Sequence, residues 1–206
     1  MSEDSPELEA CVGCGAVFPM LEGGTTHRYM DSSAACWAAF GSLNDPERPL
    51  EAAPFNALMV DAYAAQHPGT PSNQAVNSVA IHLMVLYGVL ERDFQPAQAL
   101  WLRMRPGRYL GLTAAPHGPG RPSNIPKHER FHWLTPPSFA SSLTVADVVA
   151  GETPLERSSL VEAWVKSVWA AVLAQLRHLS GRAAWAVLHH EQVEAWFEKY
   201  VLSERF

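Results

Sequence analysis

The chain has 206 residues, 48% apolar and 17% charged, with a net charge of −6. That composition excludes a disordered chain, gives enough length for one substantial core, and argues against general affinity for nucleic acid. No apolar run reaches the roughly 18 to 20 residues of a membrane span, and the acidic start MSEDSPELEA has no basic region ahead of an apolar segment, so a soluble, cytoplasmic protein is expected.

Residues 1–10 read as an acidic tail, and the segment 11–40 that follows holds all three cysteines. Cys11 and Cys14 have the CxxC spacing that lets two thiolates reach one ion from a tight turn, and Gly13 and Gly15 supply the backbone freedom the turn needs. Turns with a short hairpin are expected here, then a helix from near Ser33, with Asp31, Ser32 and Ser33 as possible caps. Cys36 falls in the first turn of that helix, where the helix dipole favours a thiolate. His27 lies between the second and third cysteines, and C-x2-C-x12-H-x8-C supplies a Cys3His set for one structural Zn2+. Asp31 or a distant histidine is the alternative fourth ligand. A redox CxxC and three ordinary buried thiols are the competing readings. A closed four-ligand site would hold the fold and would not catalyse.

Residues 41–206 read as a helical domain. NALMVDAYAAQH predicts a helix from Asn56, stopped by Pro68 and Gly69. Ser72 or Asn73 caps the next, whose residues Val76, Val79, Ala80, Leu83, Leu86, Tyr87 and Leu90 form an amphipathic stripe. A shorter helix is expected over 96–104. A basic, Pro/Gly-rich loop then runs over 106–141. Residues 103–130 carry a net +5, which leaves −11 for the remainder. A solvated loop explains this charge; the sharper reading is phosphate or nucleic-acid binding through Arg121, Lys127 and Arg130. Thr144 and Asp147 resemble a capping box. A long helix follows Thr153 and Pro154 and ends near Ser180, and a last one spans about 184–202. The fold class expected is mainly α: a bundle of about six helices with a small N-terminal zinc knuckle.

Of the nine histidines, five in the helical part bear on function: His67, His82, His132, His189 and His190. His67 ends its helix, where it can cap, and His82 falls on or beside a buried stripe, where a core histidine bonded to a hydroxyl or carbonyl is the plain reading. The functional reading brings Asp61, His67, His82 and either His189 or His190 into one cleft, for a second metal or for acid–base work in a hydrolase or transferase. Trp164, Trp169, Trp185 and Trp196 read as core, with a ligand-pocket wall as the alternative. No sequence fingerprint of a named reaction is present.

The stretches CVGCG, THRYM with the following CW, VDAYAAQHPG, SVAIHL, HWLTPP, LTVADV and HHEQVEAW resemble an uncharacterised bacterial family classed as a domain of unknown function. The resemblance implies that Cys11, Cys14, His27 and Cys36 belong together, and that Asp61, Gln66, His67, His82, Trp133 and His190 are motif positions. It brings no activity. The leading expectation is a zinc-stabilised helical protein that binds an unknown small ligand or protein.

Overall fold

The computed structural model describes residues 6–109, 131–134, 136–174 and 184–202. Within them lie seven α-helices and one two-stranded sheet, so the chain is mainly helical, as its periodicity predicts. The sheet comes first. β1 (Leu8–Ala10) pairs antiparallel with β2 (Val17–Pro19), with Glu9 opposite Phe18. The turn between the strands carries Cys11 and Cys14. Gly15 closes it at φ 77°, a left-handed conformation that suits glycine.

α1 (Ala34–Ser42) starts where Ser33 accepts a hydrogen bond from the Cys36 N–H at 3.2 Å. A 3-10 turn over Pro54–Leu58 leads into α2 (Met59–Gln66). This entry was not anticipated, and it shortens the expected helix at its start. α3 (Asn73–Glu91) is capped by Ser72, whose hydroxyl accepts from the Ala75 N–H. α4 (Ala99–Tyr109) runs longer than expected and continues past Pro106. Proline there has no N–H for the helix and its ring crowds the carbonyl one turn back, yet three further residues stay helical. α5 (Val145–Ala150) has the predicted capping box, with Asp147 accepting from the Thr144 N–H at 2.7 Å. α6 (Pro154–Ala174) and α7 (Ala184–Phe197) follow, the latter passing into a π-helical turn over Glu198–Leu202. The expected end of α6 near Ser180 lies outside the described residues.

α2 is the hub. It packs on α3 and α6, while α3 in turn packs on α4 and α7, and α5 joins α6 to α1. One hydrophobic core runs through the whole, from Cys11, Cys14 and Cys36 to Trp164, Val193 and Phe197. Trp164, Trp169 and Trp196 are buried in it, as core tryptophans. α3 alone among the described helices is long and apolar enough to cross a membrane by length and composition; half of that window is buried inside the fold.

Candidate metal centre

The turn that carries Cys11 and Cys14 is pressed against the end of α2. A side chain at Gly13 would collide with the His67 ring and with the carbonyls of Asp31 and Gln66, so only glycine fits there. Cys36 arrives from the first turn of α1, and His67 from the C-terminal cap of α2. The three sulfurs and one imidazole nitrogen lie within 4.8 Å of one another, and all four residues are buried. The Sγ atoms of Cys14 and Cys36 are 3.8 Å apart, and Cys36 Sγ is 3.5 Å from His67 Nε2. A tetrahedral ion with sulfur at 2.3 Å and nitrogen at 2.0–2.1 Å has edges of about 3.8 and about 3.5 Å. The donor set fits a metal ion of that coordination.

The groups around the donors fix their chemistry. His67 Nδ1 is 2.7 Å from the Tyr63 carbonyl oxygen. A carbonyl can only accept, so Nδ1 carries a proton, and Nε2 faces the sulfurs as the nitrogen that would give up its proton to a metal ion. The same bond caps the last turn of α2. Tyr63 stacks on the His67 ring at 4.0 Å and directs its hydroxyl at Cys36 Sγ, while the Ser33 N–H points at Cys11 Sγ. Protons are shared unevenly in this cluster. Hydrogen bonds from Cys14 and Cys36 hold the Cys11 thiol far below its usual range, whereas hydrogen bonds with Cys11 and Cys14, and then burial, push Cys36 up. Burial works against a charge on His67, but hydrogen bonds to Cys11 and Cys14 outweigh it and raise the group to about 9. A cluster that holds a thiolate beside a protonated imidazole suits a cation, which would take the place of the imidazolium proton.

His27 is not in the group, and His67 stands in the place expected for it. The His27 ring instead sits edge-on to Tyr29 at 4.3 Å and tilted against Trp37 at 5.0 Å, with Nδ1 buried and unpartnered. Burial, then the nearby His82 imidazole, lowers its pKa.

The other histidines go to separate partners. Asp61, fully buried on α2, accepts from His82 Nδ1 at 2.7 Å and from Arg103 through Nε at 2.9 Å and Nη2 at 2.5 Å. Arg103 Nη2 also donates to the Ala57 carbonyl. This cluster joins α2, α3 and α4, and it uses a carboxylate where a hydroxyl or carbonyl was expected for His82. Arg103 is thereby committed to Asp61. His190 lies 2.7 Å from Glu91, whose other oxygen accepts from Trp169 Nε1. His132 packs edge-on against Trp196. Asp61, His67, His82 and His190 therefore do not share one set of partners, since His67 belongs to the sulfurs. The side chain of His189, and Arg121, Lys127 and Arg130, lie outside the described residues. Gln66 completes α2: its amide donates to the Leu143 carbonyl and accepts from Trp164 Nε1 at 2.8 Å.

The molecule is thus a helical protein with a buried Cys3His cluster of metal-binding geometry. The model of a family of unknown function (DUF5946) matches residues 9–173, and the chain belongs to that family. No curated protein and no solved structure matches the chain.

Proposed function

We propose that Cys11, Cys14, Cys36 and His67 hold one zinc ion as a structural centre, and that the protein is a zinc-stabilised helical scaffold that binds a partner. The observation that carries this reading is the convergence of four buried donor atoms from three separate chain segments. Three thiolates and an imidazole are a standard closed set for zinc, with every coordination position filled by protein. Such an ion has no open position for substrate, so its role is to pin the β1–β2 turn, the start of α1 and the end of α2 together. No disulfide joins the three cysteines, which suits a reducing compartment, and we place the protein in the cytoplasm on that chemistry.

Elemental analysis of protein purified without chelators tests the proposal. It should find about one zinc per chain, and Cys36→Ser should carry far less. Metal-free wild-type protein that is nonetheless folded would overturn it.

A further inference from the structure

The β1–β2 hairpin exposes what a solvated hairpin hides. Of the nine large apolar side chains exposed among the described residues, Leu8, Val12, Val17, Met20 and Leu21 fall within 14 positions. The exposures are 62% for Leu8, 80% for Val12 and 57% for Val17. Register explains the face. Leu8 lies opposite Pro19 and Ala10 opposite Val17, so these four residues share one side of the hairpin, and all are exposed. Glu9 and Phe18 take the other side and are half-buried.

Among the described residues no backbone hydrogen bond reaches the outer edge of β1. The Cys11 N–H donates to Ala16 and the Met20 N–H to Glu7. These bonds flank the Glu9–Phe18 pair, so by the two-residue alternation of an antiparallel ladder the N–H and C=O groups of Leu8 and Ala10 point away from β2. β2 is the strand that lies beside α1, which among the described elements leaves β1 on the outer side, and Pro19 offers no N–H on the β2 edge. The charge is one-sided: residues 6–26 hold Glu7, Glu9 and Glu22 and neither lysine nor arginine. Glu7 and Glu9, two residues apart, project to the same side of β1.

We propose that β1 is a docking edge for an extended segment of another protein in which apolar and basic residues alternate. Added beside β1, such a strand lays its apolar residues along Leu8, Ala10 and Val17 and its lysines or arginines beside Glu7 and Glu9, while main-chain bonds form to Leu8 and Ala10. A second copy of this chain is a poorer occupant. An antiparallel β1–β1 pair centred on Glu9 sets that carboxylate against itself, and like charges directly opposite are destabilising. The proposal rests on the partner-binding reading above, and the metal centre would hold the hairpin in place for it.

The probe is a fluorescein-labelled heptapeptide of alternating lysine and valine, titrated by anisotropy into the full-length protein as purified, with zinc measured in the same sample. Saturable binding is expected for this peptide and not for its glutamate–valine counterpart or for a lysine-block, valine-block isomer. The double change Glu7→Lys with Glu9→Lys should weaken lysine–valine binding about five- to tenfold and create binding of the glutamate–valine peptide. Absence of saturation up to about 1 mM, indifference to the charge exchange, or a wild-type dimer dispersed by Leu8→Lys would overturn the docking proposal. Zinc-bearing protein that ignores the peptide would leave the metal reading standing. Zinc-free protein that still discriminates the peptides would sink the metal reading and keep the docking edge.

Discussion

At the scale of single residues, His67 does two things with one ring. Its Nδ1–H closes the end of α2 on Tyr63, and that bond leaves Nε2 to face the sulfurs. Removing it takes away a ligand and a cap together. His67→Ala should therefore weaken zinc binding by more than the roughly 10- to 100-fold that loss of a mere supporting group causes. His27→Ala should leave affinity and stoichiometry unchanged; competition with a chromogenic chelator measures both. The cysteines were legible because CxxC is a local signature, set by a turn whose glycines are also local. The histidine was not, because 31 positions separate it from Cys36 and only the folding of α2 against the hairpin joins them. Between Cys14 and Cys36 the sequence offers His27, and spacing alone favours that nearer imidazole. The aromatic packing of Tyr29 and Trp37 claims it instead.

At the scale of elements, α2 carries the fold out of proportion to its eight residues. Asp61, Gln66 and His67 are completely buried, and each reaches a different neighbour: α3 and α4, α6, and the cysteine turn. Asp61→Asn would leave Arg103 facing a neutral amide. A buried charge deprived of its partner costs about 3 kcal/mol, toward the lower end of the range because Arg103 is partly hydrated. Chemical denaturation should show that loss, and adding Arg103→Met to Asp61→Asn should recover part of it. Helix starts were readable at Ser33, Ser72 and Thr144, since a cap is a short-range signal that the structure reproduces. The partners of Asp61 were not readable. Arg103 looked like the first cation of a basic loop, and only the approach of α4 to α2 through the buried carboxylate reveals its role.

At the scale of the whole molecule, the three sulfurs belong to the same core as Trp164, Trp169 and Trp196. A metal held by them would be coupled to global stability, and the effects of its loss would be graded. Chelation should first increase amide exchange in the hairpin and α1, while the central segments of α3 and α6 keep their protection. At free zinc about 1,000-fold above Kd the ion adds about 4 kcal/mol, so the thermal midpoint should fall clearly on removal and recover when zinc is restored.

Zinc K-edge X-ray absorption on freshly purified protein tests the centre most directly. The account predicts a first shell of three sulfurs at about 2.3 Å and one nitrogen at about 2.0 Å, with the nitrogen contribution lost in His67→Ala and kept in His27→Ala. A light-atom shell without the outer-ring scattering of an imidazole, a two-sulfur shell, or no zinc edge in folded protein would contradict it.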